Sequence, residues 1–339
     1  MTSEKGLYLM SKLYQKWCNK NTELYNLDLR KILVVKWDEI GDMATALHVF
    51  ELIKGSHPQA EIHLLCKPFV NPLVASNPFI DKIFLNHNNI EKDYDTIVEL
   101  RGTGESLKKS IKISPKVYLG RGAVRYRNKG NQKHETVTNY EIIQPILKPG
   151  KPPISPKIYL SNAENKEIED FIKTNKIATF TIMHTLARAV LRQWPIERFA
   201  QIAHFLNTQY HHSIVLACAP EEVELLTEKL ALFPQNTFIY SGINGLLSFA
   251  ALCQKANLFI GNESGPMQIA ATFSNLPLIA LYGPGVPTVF YPIGANKKVL
   301  HYVLDCNPCD QIHCVQPENR CIDMITVLEV REMVGVLLD

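Results

Sequence analysis

At 339 residues the chain is too long for one comfortable core, and two domains are expected. With 46% hydrophobic and 20% charged residues it is an ordinary globular chain, which excludes disordered and fibrous classes. A net charge of +3 falls short of the polarity of a dedicated nucleic-acid binder and suits a small anionic ligand better.

The first thirty residues carry Leu7, Leu9, Met10, Leu13, Tyr14 and Trp17 at roughly helical spacing, so residues 1–30 are expected to form a helical extension. What it faces stays open between the domain itself and an anionic lipid surface met by Lys5, Lys12, Lys16 and Lys20. No apolar run has secretory or membrane-spanning length, and a soluble cytoplasmic protein is expected. Its eight cysteines would then face a reducing compartment, where free thiols or metal ligands outweigh disulfides.

A first β/α series is expected over 31–150. KILVVK at 31–36 reads as a strand, followed by the turn WDEIGD and the amphipathic ATALHVFELIKG; AEIHLLC at 60–66, DKIFL at 81–85 and YDTIVEL at 94–100 read as further strands. Gly41 would permit a tight strand-to-helix turn. Asp42 lies near the helix start and is open between a helix cap and a general base for an attacking hydroxyl. Residues 101–133 are basic, with Arg101, Lys108, Lys109, Lys112, Lys116, Arg121, Arg125, Arg127, Lys129 and Lys133. KPGKPPISPK at 148–157 has the proline and lysine content of a linker.

A second series is expected over 151–325. IATFTIM at 177–183, SIVLACA, NTFIYSG, ANLFIG and LPLIALYG read as strands, with a helix from about Pro195 and another near Pro266. The alternation predicts parallel sheets flanked by helices, with ligands at the carboxyl ends of the strands. HTLARAVLRQWP at 184–195 follows such an end: His184 and Thr185 can donate to phosphate, and Arg192 can balance charge on a leaving diphosphate or be an ordinary surface cation. GNESGPMQ at 261–268 follows another, where Glu263, Ser264 and Gln268 are open between a well-capped helix and contacts to hydroxyl and phosphate oxygens.

Near the C-terminus Cys306, Cys309, Cys314 and Cys321 stand as C-x2-C-x4-C-x6-C. The spacing leaves open a structural zinc or iron held by thiolates, uncoordinated thiols, and disulfides. Cys66, Cys218 and Cys253 sit in apolar contexts and read as core, whereas Cys18 has no assigned role. Residues 326–339 read as a closing helix.

In their order, ILVVKWDEIGDMATALHVF, LRQWPIERFAQIAHFL and FIGNESGPMQIAATFSNLPLIALYGP, with echoes in YDTIVELRGTGES and HETVTNYEII, resemble glycosyltransferase family 9, the ADP-heptose:lipopolysaccharide heptosyltransferases. The resemblance runs from about residue 31 to the C-terminus. It implies a GT-B fold, two Rossmann-like doubly wound domains facing a central cleft, with the acceptor on the first domain and the donor on the second. It further implies inverting transfer of a heptose or related sugar from an ADP-sugar, without a catalytic metal. By position Asp42 falls on the family's base, Lys36 on a basic position facing the cleft and grouped with the donor-binding residues, and Arg192 on a lysine that stabilises donor phosphates. His184 and Thr185 match the phosphate loop, and Glu222, in preference to Glu221, matches an acid near the ribose. Glu263, Ser264 and Gly265 stand for Asp-Thr-Gly and Gln268 for a histidine; these departures bear on the donor sugar more than on the fold.

The implied partners are an ADP-heptose-like donor and an anionic saccharide or lipid-linked acceptor of lipopolysaccharide-core type, with no nucleic acid. The expected location is the cytoplasm, with peripheral contact at the inner membrane. The basic stretch, through Arg125 and Arg127, would dock the acidic acceptor. Two other readings of the same fold are a protein glycosyltransferase and a nucleotide-sugar binder without turnover.

Overall fold

The computed structural model describes residues 4–20, 23–127, 133–242, 245–307, 309 and 311–339, and the chain forms two compact units, Met1–Tyr159 and Leu160–Asp339. Lys129 of the basic stretch lies outside the described residues.

The first unit runs α1 (Glu4–Cys18), β1 (Lys31–Lys36), α2 (Ile40–Ala44), α3 (His48–Ser56), β2 (Glu61–Cys66), α4 (Asn71–Val74), β3 (Lys82–Phe84), β4 (Thr96–Glu99), α5 (Gly104–Ile113), β5 (Val117–Gly120), α6 (Arg121–Arg127) and α7 (Glu135–Ile143). Its five strands are parallel in the order β3-β2-β1-β4-β5, with Lys31 opposite Glu61 and Ile32 opposite Thr96. A central parallel strand is covered on both faces, which is why Ile32, Leu33, Val34 and Val35 are consecutive and all buried. The sheet runs outward from β1 in both directions, so its topological switch lies between β1 and β4, whose carboxyl ends are Lys36 and Glu99.

An edge strand leaves backbone groups bare. Here α1 covers β5. Asn19 donates to the Tyr118 carbonyl at 3.0 Å and accepts from the Tyr118 N–H at 2.9 Å, while Gln15 accepts from the Gly120 N–H at 3.1 Å. The approach of α1 to α6 requires a glycine, because a Cβ on Gly122 would lie 2.6 Å from the Ser11 Cβ. Cys18, without a role in the sequence, is a buried member of this packing.

The second unit runs α8 (Asn162–Thr174), β6 (Phe180–His184), α9 (Ile196–Tyr210), β7 (Ser213–Ala217), α10 (Val223–Lys229), β8 (Thr237–Tyr240), α11 (Leu246–Lys255), β9 (Leu258–Asn262), α12 (Gly265–Ala271), β10 (Leu278–Tyr282), α13 (Pro287–Phe290), β11 (Lys297–His301) and α14 (Val327–Leu338). Its strands are parallel in the order β11-β10-β9-β6-β7-β8, which puts the switch between β6 and β9, ending at His184 and Asn262. Trp194, Phe199, Ile202 and Leu206 pack with Ile322, Ile325, Val330 and Val334 of the C-terminal segment. The Trp194 indole N–H donates to the Ile325 carbonyl at 2.9 Å, so the largest side chain of this core is also hydrogen-bonded. A capping box between Thr326 and Glu329 starts α14.

The structure departs from the sequence expectations in its edges and turns. β5 and β11 were not expected as strands, and in the segment ATALHVFELIKG Ala44 ends α2, a turn follows, and α3 begins only at His48. Gly41 lies inside α2, so the turn after β1 is made by Trp37–Glu39. Asp42 is no cap: the N-cap is Glu39, and Asp42 sits within the first turn.

Candidate functional site

Two polar clusters form, one at each switch point. In the first unit, Lys36 at the end of β1 is fully buried and its ammonium lies 2.9 Å from the buried Asp38 carboxylate, which also pairs with Arg101. Asp42 feels the charges of this group. Burial raises its pKa; Lys36 and Arg101 lower it, whereas the neighbouring charges of Asp38 and Glu135 raise it further, and the net result is a carboxyl above its usual range.

Glu135 is the anchor for the cations beside it. Arg121 forks onto it, and Arg125 reaches it at 3.4 Å. Burial pushes the Glu135 carboxyl up, but the hydrogen bonds and charge of Arg121, with Lys36 and Arg125, leave it below its usual range. Glu99, at the end of β4, accepts from the Gly102 N–H and from the Ser106 hydroxyl, yet full burial leaves its pKa raised. Of the two arginines expected to dock an acceptor, Arg125 is thus half-buried on Glu135 and Arg127 alone is exposed. Lys36, expected beside the donor, belongs to this first-unit cluster.

In the second unit, Asn262 at the end of β9 fixes the loop after β6. Its side chain donates to the Thr185 carbonyl at 2.8 Å and accepts from the Trp194 N–H at 3.0 Å. Asn262 was not singled out in the sequence, although its place between a strand end and Glu263 marked it as able to bind backbone. The clamped loop presents Arg192, whose Nη1 lies 3.6 Å from Glu263 Oε1 and whose Nε donates to Gln311 Oε1 at 2.8 Å.

Glu263 is buried. Desolvation raises its pKa, partly offset by Arg192 and by the Gly285 N–H, and its Oε2 has no hydrogen-bond partner among the described residues. A Cβ at position 285 would overlap its carboxylate, so any larger residue there requires that carboxylate to move. Ser264 caps α12 by accepting from the Met267 N–H at 3.3 Å, with its Oγ 3.5 Å from His184 Nδ1; Gly265 is the first residue of that helix. Burial lowers the His184 pKa to about 4, so the ring is neutral at pH 7. The Thr185 hydroxyl, also buried, has no partner among the described residues.

Two expected donor groups are engaged internally. Gln268 donates to the Phe290 carbonyl, and Glu222 accepts from the Ala219 N–H at 2.8 Å, capping its own turn after β7. His184, Thr185, Arg192, Glu263, Ser264, Gly265 and Gln268 are therefore gathered around the carboxyl ends of β6 and β9, and Glu222 follows β7.

The four C-terminal cysteines line one cavity with Leu191, Pro284 and Arg320. The Gln311 N–H donates to Cys309 Sγ at 3.4 Å, and Asn307 reaches Cys321 Sγ at 3.9 Å. All eight cysteines of the chain are free thiols, and among the described residues no three His, Cys, Asp or Glu side chains converge as a finished metal site.

Two doubly wound parallel sheets in one chain, each with a charged cluster at its switch point, define the GT-B class of folds. Solved structures agree. A glycosyltransferase family 9 protein from Veillonella parvula matches with a TM-score of 0.76 at 18% identity, covering 92% of this chain and 98% of that one. The ADP-heptose lipopolysaccharide heptosyltransferase II of Escherichia coli matches with a TM-score of 0.72 at 22% identity, covering 91% and 98%. In sequence, a protein of Haemophilus influenzae described as a putative glycosyltransferase is 23% identical over 286 residues, 75% of this chain and 82% of that one. The family model for glycosyltransferase family 9 (heptosyltransferase) matches residues 117–319, well over half of the chain. The chain belongs to glycosyltransferase family 9, and it is a glycosyltransferase.

Proposed function

We propose that this protein transfers a heptose, or a closely related sugar, from an ADP-sugar to a saccharide of the lipopolysaccharide core, with inversion and without a catalytic metal. The observation that carries the reading is Asp42: a carboxylate at the β1 switch point whose burial raises its pKa among Lys36, Asp38 and Arg101. A base is most effective when its pKa approaches the working pH, and burial moves Asp42 that way. Asp42 takes the proton of an acceptor hydroxyl, the oxygen forms its bond to the anomeric carbon from the face opposite the leaving group, and the bond to the ADP oxygen breaks. Lys36 and Arg101 hold the charges around that base.

The donor diphosphate is received by Arg192 with the His184 and Thr185 loop, the neutral His184 serving as a hydrogen-bonding group rather than a cation. Glu263, Ser264, Gly265 and Gln268 frame the sugar and phosphate oxygens, and Glu222 lies toward the ribose. Glu263 Oε2 and the Thr185 hydroxyl, without partners among the described residues, are polar atoms of this cluster with capacity for a ligand. Arg127, with Arg125 behind it on Glu135, meets an anionic acceptor. Asp42→Ala should abolish transfer while leaving ADP-sugar binding, read by calorimetry, within a few-fold of the parent; near-normal turnover would remove Asp42 from this role.

The cysteine cavity is the proposed place of a structural zinc or iron, for which its four lining cysteines would have to draw together. The N–H of Gln311 already donates to a sulfur, as it would to a thiolate ligand. Elemental analysis of protein purified without chelator reads this directly: about one metal per chain, lost in Cys309→Ser, is expected. The working place proposed for the enzyme is the cytoplasmic side of the inner membrane, where a lipid-borne core saccharide would be extended.

A further inference from the structure

The helix α1 has two faces of different character. Inward, Ser11 and Cys18 are buried, the Tyr14 hydroxyl donates to the Ser110 carbonyl of α5 at 3.1 Å, and Gln15 and Asn19 hold β5. That face is fully used. Outward stand Leu9, Met10, Leu13 and Trp17, with Leu13 57% and Trp17 62% exposed. Spaced i, i+4 and i+8 with one neighbour, they fall on a single stripe about 100° wide. Lys5, Lys12 and Lys16 run along one flank of the stripe and Lys20 follows the helix; all four are exposed.

The helices packed on α1 carry exposed apolar and basic groups of their own. Ile111 of α5 and Tyr126 of α6 are exposed apolar groups, accompanied by exposed Lys108, Lys112 and Arg127. The Lys12 ammonium lies 4.3 Å from the centre of the Tyr126 ring, joining α1 to α6 on this side. After its first residue, Glu4, α1 carries no acid in its sequence, and Glu105 of α5 is paired with Lys109 at 3.1 Å.

We propose that the outer face of α1, widened by Ile111 and Tyr126, docks the protein on an anionic lipid bilayer. A helix lying in the interface plane needs an apolar stripe to enter the acyl boundary and cations beside it for the headgroups. Trp17 suits headgroup depth, and lysine stems cover apolar surface while their ammonium groups stay in water. A second copy of the chain is a poorer occupant, because a two-fold contact through this face would set lysines against lysines. Rigid attachment of α1 to the sheet edge means that the whole first unit is held at the surface. The inference goes beyond the donor chemistry and stands apart from the identity of the transferred sugar.

The test is cosedimentation of the full chain with vesicles of phosphatidylcholine alone, or with about 30% phosphatidylglycerol, a charge density at which each lysine near the surface contributes about fivefold in affinity. Binding to the anionic vesicles, weak on the neutral ones and falling as salt shortens the Debye length from about 10 Å at 0.1 M to about 3 Å at 1 M, is expected. Lys12→Glu with Lys16→Glu should weaken it by at least about tenfold. Leu13→Ser with Trp17→Ser should also release the protein, and both pairs, being surface changes, should leave the melting temperature and ADP binding unchanged. Equal binding to both vesicle types, no binding to either, or full binding by both double variants would overturn the proposal. A concentration-dependent dimer that Leu13→Ser with Trp17→Ser dissociates would replace it with a copy-to-copy interface.

Discussion

Replacing Gly285 with alanine places a methyl group on the Glu263 carboxylate, because the two would occupy the same space. The buried Glu263 carboxylate must then turn aside, withdrawing from the Gly285 N–H and from Arg192 at 3.6 Å. Overpacking of a well-filled interior costs about 1–3 kcal/mol. A hydrogen bond to a charged group contributes about 1.5–3 kcal/mol more, giving about 2.5–6 kcal/mol together. For a unit of about 180 residues each kcal/mol lowers the midpoint by about 2–4 °C, so a fall of about 10 °C is expected for the second unit by scanning calorimetry. Removing the opposing carboxylate should relieve the overlap: Gly285→Ala combined with Glu263→Ala should lose less than the sum of the single losses. A midpoint within about 1 °C of the parent, or strict additivity in the double variant, would refute the reasoning.

Asn262→Ala removes the clamp on both the Thr185 carbonyl and the Trp194 N–H, costing about 2–4 kcal/mol by leaving buried backbone groups unpaired; the Michaelis constant for donor should rise with it, since the same loop bears Arg192. Asp42→Asn should lower kcat by at least about a hundredfold and at the same time raise the melting temperature at pH 7. The sign follows from its pKa: folding holds the carboxyl above the ordinary 3.8, so the charged form is disfavoured in the native state and stability falls as pH rises through that window. His184 and His48 work in the opposite sense. Burial lowers both from 6.5 to about 4, so the unfolded chain binds more protons between those values and stability, complete above pH 6.5, declines as pH falls toward 4. Pulse proteolysis across pH 4–7 should show the second unit losing part of this dependence in His184→Gln, with the first unit unchanged.

What the sequence disclosed depended on whether a pattern was local. KILVVK became β1 residue for residue because a strand buried on both faces must be continuously apolar. β5 and β11 were hidden by their lysines. VYLG lies inside the basic stretch, and KKVLH begins with two cations, yet Lys297 is buried with its ammonium on the Phe273 carbonyl at 2.8 Å and on that of Leu276. Burial lowers its pKa to about 8. A lysine carries no mark in sequence that says which carbonyls it will meet. The strand-end motifs at His184 and Glu263 were legible because loops between strand and helix are short and stand near a switch point. The engagement of Gln268 by Phe290, of Arg125 by Glu135, and of Gly285 by Glu263 was not, because each joins positions ten or more residues apart whose side chains have other plausible partners.

The cover that α1 gives β5 also decides how much of the chain can be removed. A protein starting at Leu24 would keep every strand of the first sheet but leave the Tyr118 and Gly120 N–H groups bare along a partly apolar margin. Such a margin recruits a strand from another molecule. Shortening the protein at this end should therefore cost solubility before it costs folding, and turbidity rather than melting temperature would report the damage.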